Sequence, residues 1–307
     1  MSVKFPVRGN VPAVVTPFTA SGEIMMDAYR ELIRWHLDQR VDGICVAGDN
    51  GESWSLSTEE RRQLAAATVE IVGGRIPVIM GVSSTTARQT IVDADAAATA
   101  GVDALMIGPQ SYVMKATTRE LVQRMTAIHR AVPLPIVLYN SPRRTNISLT
   151  IDSMRALSEA VNIIALKEAS RDFFYLSHVI HNFANKLAIM VGPAPFILPG
   201  LALGAAGFIS SGPELLDGVA ATLLQLAAAP PTPSQRETHY RLTRVYETLM
   251  SLGTWPAALK AGHRLVGREA GVPRDPVLPL ETDEAAALAS VLRECGEPMV
   301  QQSLAAE

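Results

Sequence analysis

Two stretches, Pro135-Ile136-Val137-Leu138-Tyr139-Asn140-Ser141 and Asn162-Ile163-Ile164-Ala165-Leu166-Lys167-Glu168, are short apolar runs that end abruptly in polar residues. Their apolar positions are continuous rather than alternating, as in strands buried on both faces of a parallel sheet. Between them, residues 150–159 have the spacing of an amphipathic helix. The same unit recurs along the chain. Further strands are predicted over 12–16, 43–46, 77–80, 104–107, 188–191 and 207–209, eight in all. Helices are predicted over 26–40, 58–72, 86–100, 118–131, 173–185 and 195–204, with Ser57 or Thr58 before Glu60, and Thr118 before Glu120, as capping signals. Eight strand–helix repeats predict an α/β fold, a (β/α)8 TIM barrel. An open doubly wound sheet is the alternative that gives the same alternation.

After Ile209 no further strand is legible. Helices are expected over 215–229, 234–251, 255–266 and 281–294, interrupted by Pro230-Pro231-Thr232-Pro233. The predicted organisation is a barrel over 1–225 and a C-terminal helical extension over 226–307, packed on the barrel or on another subunit.

The 307 residues fit one large barrel with an appendage. Apolar residues make up 48% and charged residues 19%, a balance that supports a sizeable core and excludes intrinsic disorder. The formal net charge of -3 offers no basic excess for phosphates, so no nucleic-acid partner is expected. Cys45 and Cys295 cannot build a disulfide framework or a four-thiolate zinc site. Residues 1–10 carry charge early and lack an apolar run, and no stretch approaches the ~20 apolar residues of a membrane span. The expectation is a cytoplasmic protein with no membrane partner.

In such barrels polar residues at the carboxyl ends of the strands build the site. Lys167 ends an apolar strand, so desolvation should lower its pKa, and a partly neutral amine can attack a carbonyl to form a Schiff base. Pairing with a carboxylate, or snorkelling to water, is the alternative. Tyr139 ends the preceding strand and could relay protons in the same cavity, or simply cover the core. The turn Gly48-Asp49-Asn50-Gly51 reads either as a carboxylate cradle or as a tight turn in which Glu52 and Ser53 make local hydrogen bonds. The six histidines fall at no strand end; His178 and His181 share a helical face as a surface pair, which argues against a metal-dependent hydrolase or class II aldolase.

Tyr139-Asn140-Ser141-Pro142-Arg143-Arg144-Thr145, followed by Lys167-Glu168-Ala169, resembles the dihydrodipicolinate synthase/N-acetylneuraminate lyase family of class I, Schiff-base aldolase-like enzymes on (β/α)8 barrels. Gly43–Glu52 and Gly204-Ala205-Ala206-Gly207-Phe208-Ile209-Ser210 extend the resemblance over essentially the whole chain. It implies a lyase or synthase in which Lys167 bonds covalently to pyruvate or another 2-oxo acid, with no separate cofactor and no metal. It further implies Tyr139 as proton relay, Asp49 and Asn50 at the carboxylate turn, and Ile209 and Gly192 against the pyruvate. Arg144 matches an arginine that grips the carboxylate of the synthases' second substrate. Arg143 reads as a solvated surface charge. Tyr112 is the candidate for a tyrosine lent by a neighbouring subunit, in a homo-oligomer (dimer or homotetramer).

Asp49 and Asn50 stand where the family has paired hydroxyls, and a carboxylate at 49 alters the charge of the relay. The first reading is therefore a condensation of pyruvate with an aldehyde. The alternatives are dehydration or cleavage of a 2-keto-3-deoxy sugar acid, for which an extra acid–base group is useful, and a non-catalytic binder of 2-oxo acids.

Overall fold

In the computed structural model, residues 6–225 and 232–297 are described. Their strands are β1 (Gly9–Asn10), β2 (Ile44–Val46), β3 (Val78–Gly81), β4 (Ala104–Ile107), β5 (Ile136–Asn140), β6 (Ile163–Glu168), β7 (Ala188–Val191) and β8 (Gly207–Phe208). From β2 to β8 each strand pairs in parallel with its neighbours in chain order, and β1 pairs in parallel with β8. The ring closes between the segment after β1 and β2: Asp42 N–H donates to Asn10 O at 2.8 Å, Cys45 N–H to Pro12 O at 2.9 Å and Val14 N–H to Cys45 O at 3.0 Å. The sheet is a barrel, as the eight repeats predicted. Gly207 lets the closing strands meet, since a Cβ there would lie 2.2 Å from Gly9 O.

The helices are α1 (Met26–Asp38), α2 (Thr58–Val72), α3 (Ala87–Thr99), α4 (Thr118–Ala131), α5 (Pro142–Thr145), α6 (Ile151–Ala160), α7 (Phe173–Phe183), α8 (Ile197–Ala202), α9 (Val219–Leu224), α10 (Pro233–Ser251), α11 (Ala257–Leu265) and α12 (Thr282–Glu294). Reciprocal capping boxes open α2, from Ser57 and Glu60, and α4, from Thr117 and Glu120. Each satisfies two backbone donors that a helix start leaves unpaired.

Several boundaries differ from expectation. The regular first strand is Gly9–Asn10 rather than 12–16, because Pro12 has no N–H for a ladder; Ala13 joins Cys45 only through an isolated bridge. The cap of α4 is Thr117, not Thr118. The helix expected over 195–204 is a 3-10 turn, Ala194–Phe196, followed by the short α8. The one expected over 215–229 is reduced to a 3-10 turn, Pro213–Leu215, and α9, with Gly218 at φ +66 between them. Its end at 226–229, the Pro230-Pro231 break and residues 1–5 of the chain start lie outside the described residues. No helix among the described residues is long and apolar enough to cross a membrane.

Two apolar layers hold this arrangement. Inside the barrel, Ala13, Cys45, Ile79, Met106, Val137 and Ala165 belong to one buried cluster with Met190 and Ile209. Outside it, a larger cluster joins the sheet's outer face to the helices and continues into Leu242, Val245 and Leu249 of α10 and Leu288 and Leu292 of α12. Each fully buried leucine or valine contributes roughly 1.5–3 kcal/mol.

Candidate active site

β5 and β6 are paired in register with Tyr139 opposite Lys167 and Asn140 opposite Glu168. Alternation along a strand then sends the two pairs to opposite faces. Glu168 is buried and fixed on its side: Asn140 Nδ2 donates to it at 2.6 Å and Ser170 N–H at 2.6 Å. Lys167, only 5% exposed, lines a cavity at the carboxyl end of the barrel, its Nζ 4.7 Å from the centre of the Tyr139 ring. Burial lowers the pKa of Lys167, while Cys45 and Asp49 act in the opposite direction. Burial also raises the pKa of the Tyr139 hydroxyl; Asp49 adds to that rise, and Ser141 and Arg144 offset it. The amine is thus readied to lose its proton and the phenol to keep one.

The cavity holds about 80 Å³, room for several water molecules at about 10–15 Å³ each. Asp49, Asn50, Arg144, Gly192 and Ile209 line it together with Lys167 and Tyr139. Gly192 follows β7 and donates its N–H to Glu168 O at 2.7 Å; a Cβ there would lie 2.6 Å from both Glu168 O and Ala169 Cβ. A wider cavity of about 690 Å³ shares Asp49, Tyr139 and Arg144 with the first. Tyr112 lines neither: it is 89% exposed, at φ +74, on the loop after β4.

The turn after β2 holds its residues for distinct reasons. The Asn50 side-chain amide donates to Ala13 O and to Ser211 Oγ, each at 2.7 Å, tying the turn to the segments that follow β1 and β8. Both its hydrogens are occupied, which leaves backbone N–H groups as donors for a ligand. Asp49 faces Arg144, whose Nε lies 2.9 Å from each carboxylate oxygen. The four-residue helix α5, begun by Pro142 and ended by Asn146 at φ +57, brings Arg144 to that position. The backbones of Glu52 and Ser53 make the local bonds of a tight turn, donating to Asp49 O and Gly48 O, each at 3.2 Å, while the fully buried Glu52 side chain pairs with Lys260 of α11 and accepts from Arg274 N–H at 2.9 Å. Arg61 of α2 braces the same turn through the carbonyls of Ser53 and Gly81.

The chain matches the dihydrodipicolinate synthetase family over residues 6–295. It belongs to that family. A 4-hydroxy-tetrahydrodipicolinate synthase from Synechococcus elongatus is 33% identical over 298 residues, 96% of this chain and 99% of the relative. Among solved structures, a dihydrodipicolinate synthase from Bacillus anthracis superposes with a TM-score of 0.89 at 30% identity, covering 94% of this chain and 98% of the other. A dihydrodipicolinate synthase from Acinetobacter baumannii, complexed with pyruvate, gives 0.86 at 28% identity, covering 95% and 100%.

Within this dihydrodipicolinate synthetase family member, sequence reasoning missed part of the cavity wall. Arg143 is exposed, as expected of a surface charge, yet lines the cavity, because α5 turns it toward the rim. Arg171, Tyr246 and Trp255 line it as well. Arg171 lies four residues beyond Lys167, and following the strand past Glu168 would have found it. Tyr246 and Trp255 come from the C-terminal helical region, and no local signal marks them.

Proposed function

We propose that this chain is a lyase or synthase in which Lys167 forms a Schiff base with pyruvate or another small 2-oxo acid. The observation that carries the reading is the buried Lys167 amine, its pKa lowered, beside the Tyr139 ring at 4.7 Å. The amine lone pair adds to the ketone carbon. The ketone oxygen takes up protons relayed by Tyr139 and leaves as water as the C=N bond forms. Loss of a proton from the carbon adjacent to the protonated Schiff base gives an enamine, whose carbon adds to the aldehyde carbon while the aldehyde oxygen takes up a proton. Backbone N–H groups of the Asn50–Gly51 turn receive the carboxylate, and Ile209 and Gly192 wall the pocket. The two terminal nitrogens of Arg144 serve the second substrate.

The relatives named as synthases and the neighbour complexed with pyruvate support the condensation. Asp49 favours a second reading, dehydration or cleavage of a 2-keto-3-deoxy sugar acid, since it sets a carboxylate near the Tyr139 phenol. The exposure of Tyr112 supports its being offered to a second copy of the chain in a homo-oligomer. A cytoplasmic setting accords with two buried, free cysteines.

Borohydride reduction in the presence of pyruvate, followed by peptide mass spectrometry, is expected to mark Lys167, and Lys167→Ala to abolish the adduct. An undiminished adduct in that variant would falsify the assignment. Tyr139→Phe should slow turnover by roughly 10²–10⁴-fold; a near-normal rate would remove it from the relay.

A further inference from the structure

Three guanidinium groups line the Lys167 cavity, and their charges are met differently. Asp49 balances Arg144, its two oxygens each 2.9 Å from Nε. Arg171 has no ion pair among the described residues; its Nη2 donates to the Tyr246 hydroxyl at 3.2 Å, and its guanidinium carbon lies 5.4 Å from the Tyr246 ring centre. Arg143, at the rim, has no ion pair among the described residues either. Among the three guanidinium groups, those without a balancing carboxylate are Arg171 and Arg143.

The backbone supplies an independent sign. Arg171 sits at φ +65, in the left-handed region, where a long side chain is strained and glycine is at ease. A strained residue in the loop that follows the reactive lysine by four positions implies that its side chain is needed there. Tyr246, reaching over from α10, holds that side chain against the cavity wall.

We propose, resting on the Schiff-base reading above, that Arg171, oriented by Tyr246 and supplemented by Arg143, binds a second anionic group at the end of the substrate remote from the ketone. The guanidinium fork suits a carboxylate or a phosphate equally. Arg171 would then be the residue that selects doubly anionic substrates. Arg144, already balanced by Asp49, would leave the charge of that distal group unanswered.

The probes are 2-oxo diacids (oxaloacetate, 2-oxoglutarate, 2-oxoadipate), each against the monoacid of the same chain length. The readout is the borohydride-trapped Lys167 adduct at sub-saturating acid. The wild type is expected to capture at least one diacid tenfold better than its matched monoacid, or to lose capture of an oxo acid on addition of inorganic phosphate. The first result assigns the group as a carboxylate, the second as a phosphate. Arg171→Gly should abolish that preference or competition while raising Tm through relief of the backbone, so misfolding cannot produce the loss; Arg171→Lys should retain part of it.

A wild type that shows neither effect, or an effect that survives in Arg171→Gly, overturns the proposal. If pyruvate leaves no adduct on the wild type, the Schiff-base reading itself has failed and this inference falls with it. An adduct at Lys167 with no diacid preference and no phosphate competition sinks the inference alone.

Discussion

At the scale of single residues the chemistry turns on charge. Asp49 acts on both groups proposed to react: it favours the protonated form of Lys167 and of Tyr139. Replacing it with a neutral isostere removes that bias from both. In Asp49→Asn, the acid limb of the kcat/KM profile, set by deprotonation of Lys167, should move to lower pH. Loss of the carboxylate removes one of the influences that oppose burial in lowering the Lys167 pKa. Measurement of kcat/KM against pH for the two proteins checks this, and an acid limb that stays in place would mean that another group governs it. The same substitution frees Arg144 from its balancing carboxylate, so affinity for anionic second substrates should rise rather than fall.

Among elements, the turn after β2 links the cavity to the C-terminal helices. Its tip carries Asp49 and Asn50, and its base is pinned from below by the buried pair of Glu52 with Lys260. Burial lowers the Lys260 pKa to about 8, with Glu52 opposing that shift. Lys260 also donates to Val272 O at 2.7 Å and lies 4.4 Å from the Phe18 ring centre. Removing one partner strands the other charge without water. Lys260→Met is expected to destabilise the fold by about 3–5 kcal/mol in urea titration, and Glu52→Gln combined with Lys260→Met to recover much of that loss. A double variant no better than the single one would assign the cost to packing around Phe18 instead of to the stranded carboxylate. None of this coupling was legible in sequence. Glu52 and Lys260 are over two hundred positions apart, and the local reading of Glu52 as a turn residue was the natural one.

For the whole molecule, the barrel and the helical extension share a single outer core. Leu242, Val245 and Leu249 of α10 cluster with the outer residues of the sheet, and Arg274 reaches back to Glu60 at 2.6 Å. The extension also supplies Tyr246 and Trp255 to the cavity wall. We propose that the barrel and the helical extension fold as one unit. A chain ending at residue 225 should therefore show no cooperative thermal transition by circular dichroism and no borohydride adduct. A sharp transition in the shortened chain would mark the barrel as self-sufficient.

The sequence by itself determined the periodicity of the fold and the residue types at the strand ends. Burial on both faces demands continuous apolar runs, and the polar residue that ends such a run, as at Tyr139 and Lys167, lies where a parallel barrel opens. Local backbone chemistry was legible too, in the caps at Ser57 and Thr117 up to a one-residue shift. Only the tertiary structure decided which charges meet. Asp49 with Arg144, Glu52 with Lys260 and Arg171 with Tyr246 are distant along the chain, and ring closure rather than sequence proximity sets their separations. Charge interactions depend on those separations and on burial, so the electrostatic character of the site, and the substrate it selects, emerges only once the barrel has closed.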